Sequence, residues 1–125
     1  MKKMLLMITL LLSLKIISEA NAEEVVTSGT CNSSGTCLWS LDSDGKLSIT
    51  GSGTMGTYVT SSDSAYFEEN QPWKSYKNRI KSVDIQGVNN VSYALFRGYT
   101  KLESVNIGDS VTTIKDRAFD KTHLR

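Results

Sequence analysis

The chain has 125 residues, of which 39% are apolar and 22% charged, with 14 basic residues against 13 acidic ones. That length holds one small domain with a modest core. The near balance of charge excludes the broad basic footprint of a nucleic-acid binder and a polybasic membrane patch.

Lys2 and Lys3 precede an apolar run from Met4 to Leu14 and the small-residue triplet Ala20-Asn21-Ala22. This is the layout of a cleaved secretory signal over residues 1–22, and the run is too short to span a bilayer. Cleavage before Glu23 removes Lys2, Lys3, Lys15 and Glu19, leaving 11 basic residues against 12 acidic ones. No later apolar segment is long enough to cross a membrane, so the mature chain is expected outside the cell, secreted or held at its surface. Export sets the reading of Cys31 and Cys37, which flank the turn-forming Asn32-Ser33-Ser34-Gly35-Thr36. In an oxidising compartment a disulfide closing this loop is expected; where the exterior lacks a disulfide-forming system, the two remain free thiols. A metal site needs more ligands than these, and the redox Cys-x-x-Cys has a different spacing.

The stretch from Trp39 to Ile49 reads as a β-hairpin around Ser43-Asp44-Gly45. With Asp42 opposite Lys46, Leu41 meets Leu47 and Trp39 meets Ile49 on one face, and Gly45 supplies the positive φ of a three-residue turn. An isolated hairpin is marginal in water, so its Trp39 face is expected to lean on the strand that begins the repeats. Gly51-Ser52-Gly53-Thr54-Met55-Gly56 matches G-x-G-x-x-G formally. That motif needs a helix behind it to face a pyrophosphate. Thr57 to Ser64 has no helical period, so these glycines are read as ending a strand and turning the chain. Val59 to Asn70 is a polar connector of the kind that carries specificity. Pro72 to Ile80 then reads as one or two helical turns, with Trp73, Tyr76 and Ile80 on one side. Trp73 is expected to plug the end of a stack.

The stack is written in the remaining residues. Ile80 to Phe96, IKSVDIQGVNNVSYALF, and Leu102 to Phe119, LESVNIGDSVTTIKDRAF, state one pattern twice. Ile80, Val83 and Ile85 recur 22 residues on as Leu102, Val105 and Ile107, and Leu102 recurs as Leu124. Val88, Val91 and Phe96 match Val111, Ile114 and Phe119 once a residue is inserted before Val111. A fixed period near this length marks a solenoid. Alternating Val and Ile point to one side of a short strand, and stacked copies bury a ribbon that no single unit can enclose. Phe96 and Phe119 close the opposite wall. The expected fold is mainly β: a hairpin and short-helix cap over residues 23–79, then about two repeats over residues 80–125, incomplete at the C-terminal end.

Ser28-Gly29-Thr30-Cys31, the stretch from Trp39 to Met55, Pro72-Trp73 and the two repeats together resemble the N-terminal region of BspA-like leucine-rich-repeat surface proteins. The resemblance covers nearly all of the mature chain, residues 28–125. It implies a leucine-rich-repeat solenoid, secreted or surface-attached, that binds and adheres to host or neighbouring-cell proteins without catalysis. Tyr99 stands where the family often has Cys, Leu95 replaces the usual Ala before Phe96, and Asn89-Asn90 is loosely matched. The chain stops at Arg125, just inside a third unit, whereas a solenoid usually needs three or more repeats and a polar cap at each end. A truncated reading frame, a fragment of a longer product and a module completed by a partner all fit, and the layer around Val105, Ile107 and Phe119 is expected to be marginal.

For such a stack the outward strand positions are Ser82, Asp84 and Gln86 in one unit and Ser104, Asn106 and Gly108 in the next. Small and polar, they suit hydrogen bonding to an extracellular protein, with a glycan as the second partner class; plain solvation is the alternative. Tyr58, Tyr66, Tyr93 and Tyr99 are candidate anchors if exposed. The competing functional class is an exported carbohydrate-binding module using Trp39 and Trp73, which requires them at the surface. No catalytic set is recognised: His123 is the only histidine, and it sits in the broken repeat. Asp42 with Asp44, and Glu68 with Glu69, are read as solvated carboxylates. No cofactor or metal is expected. The sequons at Asn32 and Asn90 matter only in an organism that glycosylates exported chains.

Overall fold

The computed structural model describes residues 24–59 and 69–124; the signal segment, Tyr66, Glu68, Arg125 and most of the polar connector lie outside them. The strands are β1 Val25–Thr30, β2 Cys37–Asp42, β3 Lys46–Gly51, β4 Ser82–Ile85, β5 Asn90–Val91, β6 Ser104–Ile107 and β7 Thr113–Ile114. A five-stranded sheet runs in the order β1-β2-β3-β4-β6, and β5 pairs with β7 in a second sheet of two strands. The fold is thus mainly β, as expected.

The hairpin has the expected register, with Trp39 opposite Ile49 and Leu41 opposite Leu47. Gly45 adopts φ +83°, and a Cβ there would strike the Arg79 carbonyl oxygen. Asp42 departs from expectation. Its carboxylate is buried and accepts the N–H groups of Asp44 at 2.9 Å and Lys46 at 3.0 Å. It closes the turn as an acceptor for backbone donors that would otherwise be unpaired.

β1 was not anticipated. It runs antiparallel to β2 with an irregularity between Val25 and Thr27, and Gly29 lies opposite Trp39. A Cβ on Gly29 would sit 2.9 Å from Trp39 Nε1; glycine here lets the indole lie against the strand.

The hairpin does not lean its face on the repeats. It joins them edge to edge: β3 lies parallel to β4, with Leu47 beside Val83 and Ile49 beside Ile85. β4 lies parallel to β6 in the same way, with Val83 beside Val105 and Ile85 beside Ile107. Leu47 and Ile49 therefore play the part of a preceding repeat, and the hairpin extends the sheet to the edge strand β1. On the second wall Asn90 pairs with Thr113 and Val91 with Ile114, so the residue inserted before Val111 is absorbed in the turn between β6 and β7.

Three rings run through the interior. Trp73 stacks on Phe96 at 5.9 Å and 18°, and Phe96 stacks on Phe119 at 5.6 Å and 15°. Trp39 meets Trp73 edge-on at 5.8 Å. One aromatic column thus links the cap to the first repeat and the first repeat to the second, in geometries that add to area burial. The turns before Ile80 are a 3-10 helix, Lys74–Arg79, capped by Trp73. Trp73 and Ile80, flanking it, are fully buried and Tyr76 is half-buried. Among the described residues no helix is long and apolar enough to cross a membrane.

Candidate functional site: the outward face of the sheet

Alternation places Leu47, Ile49, Val83 and Ile85 inside and their neighbours outside. The registers then align the outward residues in rows. Ser28, Ser40, Ser48, Asp84 and Asn106 lie side by side across all five strands. Below them Lys46, Ser82 and Ser104 form a second row. The repeat positions singled out from the sequence are thus brought together on one face. Gln86, Ser104 and Asn106 are exposed, and Ser82 and Asp84 are half-buried between neighbouring strands. Sequence reasoning missed the cap's share of this face. The hairpin alternation already assigned Ser40 and Ser48 to the side opposite Trp39, whereas Ser28 needed β1 to be recognised.

Asp84 organises the middle of the face. Its Oδ1 accepts hydrogen bonds from Asn106 Nδ2 at 2.9 Å and Gln86 Nε2 at 3.0 Å. These bonds fix the two amides from adjacent layers. A shallow groove of about 350 Å³ runs alongside, lined by Lys46, Ser82, Asp84, Ser104 and Asn106 with the backbone of the paired strands. Such a surface offers hydroxyl, amide, carboxylate and ammonium groups at strand spacing.

The other candidates are distributed differently. Cys31 and Cys37 form a disulfide, and both are fully buried. Inside their loop Asn32 Oδ1 accepts the N–H groups of Thr36 at 2.9 Å and Cys37 at 3.1 Å, and its Nδ2 donates to Thr54 O at 3.2 Å. The disulfide loop and the glycine-rich turn are in this way tied together, and Gly51 ends β3 as expected. Trp39 is 5% exposed and Trp73 0%, so neither offers a ring face to a sugar. Tyr99 is also fully buried rather than an external anchor, and burial pushes its hydroxyl far above the ordinary tyrosine range. Tyr58 and Tyr93 are half-buried, and burial raises the Tyr58 hydroxyl as well. Asn90 is buried, and its Oδ1 accepts the Met55 N–H at 2.7 Å. Glu69 pairs with Lys77 at 2.9 Å instead of standing free in solvent. Exposed His123 lines a cleft with Thr100, Lys101 and Glu103. Among the described residues no group of three His, Cys, Asp or Glu could hold a metal ion.

No protein-family model and no curated protein matches the chain. A solved structure does: a leucine-rich repeat protein from Eubacterium ventriosum, 32% identical, with a TM-score of 0.63 over 79% of this chain. The chain spans about a quarter of that protein's length, 25% of it. The paired repeats, the parallel ladders and this likeness together support a leucine-rich-repeat family for the chain.

Proposed function

We propose that the chain is a non-catalytic binding protein of the BspA-like leucine-rich-repeat kind, secreted or held at the cell surface, that engages an extracellular protein through the outward face of its sheet. The observation that carries this reading is the register that aligns Ser48, Asp84 and Asn106, with Ser40 and Ser28 beyond them, on a face that no other described element covers. Five strands at roughly 4.8 Å present a surface about 20 Å wide, the scale of one side of a small protein interface. Adhesion to a host or neighbouring cell follows if the partner is displayed there. The carbohydrate-module alternative loses its stacking platforms with both tryptophans inside. The test is a binding screen of the chain against secreted proteins and cell-surface ectodomains, repeated with Asp84→Lys/Asn106→Lys. Loss of a bound partner at unchanged melting temperature is expected; a partner held equally well by the double variant places binding elsewhere.

A further inference from the structure

Cations gather at one end of the sheet, where β3 and β4 begin. Between Pro72 and Val83 the chain carries Lys74, Lys77, Arg79 and Lys81 and no carboxylate. Lys77 is neutralised by Glu69, while Arg79 and Lys81 form no ion pair among the described residues. The hairpin turn closes over this stretch, because Gly45 O accepts the Lys81 N–H at 2.8 Å. Together they enclose a cleft of about 350 Å³ lined by Ser43, Asp44, Gly45, Asn78, Arg79 and Lys81. One layer on, Glu103 donates its N–H to Lys81 O at 2.8 Å and shares a cleft with Lys101. Arg79 and Lys81 thus line this cleft with one carboxylate, Asp44, and the neighbouring cleft adds Lys101 and Glu103. The excess is positive locally in a mature chain whose overall excess is acidic.

We propose that this end of the sheet binds an anionic glycan, a polysaccharide bearing carboxylate or sulfate groups. The ammonium and guanidinium groups supply attraction and bidentate hydrogen bonding to such anions. Arg79 also lies over the Tyr76 ring, with its guanidinium carbon 5.8 Å from the ring centre, which restricts where the fork can point. Ser43 and Asn78 add a hydroxyl and an amide suited to sugar hydroxyls. The lining separates this ligand from an acidic peptide. Peptides and proteins gain most of their affinity from aromatic and aliphatic anchors in desolvated pockets, and no apolar side chain lines this cleft. The surface is separate from the outward row around Asp84, and the inference does not rest on that row's role.

The experiment is titration of the purified chain with polygalacturonate, dextran sulfate, neutral dextran and poly-glutamate at low and high salt. Binding is expected for at least one of the two anionic polysaccharides, weakened by salt as surface charge is screened, and absent for neutral dextran. The Arg79→Ala/Lys81→Ala variant should bind about tenfold more weakly, with Asp84→Ala/Asn106→Ala unchanged. If the first variant melts early, Lys81→Gln alone, at an exposed position, should still weaken binding. Failure of both anionic polysaccharides to bind, undiminished affinity in the Arg79 and Lys81 variants, or poly-glutamate bound as tightly would each overturn the proposal.

Discussion

The two repeats carry nearly the same apolar residues, and the first buries them while the second leaves most of its own partly exposed. Ile85 and Ile107 occupy equivalent places in adjacent strands, yet Ile85 is fully buried and Ile107 is 36% exposed. Val91 and Ile114 are paired across the second sheet, and they stand at 0% and 51%. Phe96 lies between Trp73 and Phe119, whereas Phe119 is stacked on Phe96 alone among the described rings and is half-buried. Residue type is shared, so the difference comes from neighbours. A repeat unit is stabilised by its own contacts plus those on each side, and in this structure the first repeat has a layer on both sides. The cap achieves this by imitating a repeat along the sheet edge, with Leu47 and Ile49, and by placing Trp73 at the end of the ring column.

The sharpest way to break this comparison is to truncate equivalent rings. Phe96→Ala should cost about 3–5 kcal/mol, the usual range for a buried aromatic, and Trp73→Ala a similar amount. Phe119→Ala should cost roughly half as much or less, because part of its surface is already in water. Urea unfolding of the three variants measures the ranking; an equal loss at Phe96 and Phe119 would contradict layered burial. Next in size is the clasp on the cap. Opening the Cys31–Cys37 bridge with reductant should remove about 2 kcal/mol, as expected for a short closed loop, read as a lowered midpoint in thermal circular dichroism. The Cys31→Ser/Cys37→Ser variant should melt there without further response to reductant.

Alkaline pH probes the closed side specifically. Burial holds the Tyr99 hydroxyl well above its ordinary value of 10.0, so the folded state retains a proton that the unfolded chain releases. The stability this gives is fully present below pH 10.0 and falls as pH rises beyond it, by up to about 1.4 kcal/mol per pH unit. Tyr99→Phe should flatten that limb in urea titrations at rising pH. The smallest effect concerns the turns after the two short strands. Gly98 takes φ +77° in the first repeat, and Lys121, its counterpart 23 residues on, takes φ +56°. Lys121→Gly should relieve the side-chain strain of that conformation and stabilise by a few tenths of a kcal/mol to about 1, net of the added freedom of the unfolded chain.

Much of this architecture was legible because two periods do not interfere. Val83-x-Ile85 and Val105-x-Ile107 fix strand faces by alternation, and the 22-residue recurrence fixes which strands touch. The hairpin register followed from the turn at Gly45. β1 was not legible because Val25-Val26-Thr27-Ser28-Gly29-Thr30 does not alternate; it is an edge strand with an irregularity near its start, and only its β-branched residues hinted at it. Asp42 and Glu69 looked solvated because sequence shows a carboxylate but not the donors that converge on it. Tyr99 looked available because an aromatic at a turn has no periodic mark of its side. The outward face was legible in position and silent in purpose: serines, an aspartate and an asparagine name a polar surface and no particular partner. The cationic cleft stayed hidden because the Ser43–Gly45 turn and Arg79–Lys81 are far apart in sequence and meet only through the β3–β4 pairing and the bond from Lys81 N–H to Gly45 O.

Amide hydrogen exchange at two equivalent bonds tests the layered account most directly. Gln86 donates its N–H to Ile49 O, and Gly108 donates its N–H to Ile85 O, each at 2.8 Å and one layer apart. Equal bond lengths leave the neighbouring layer as the difference between them. The account predicts that Gly108 exchanges faster by on the order of a hundredfold, through local opening of β6, while Gln86 exchanges only with unfolding of the whole domain. Equal protection at the two amides would show that the last layer is as secure as the first, and would contradict it.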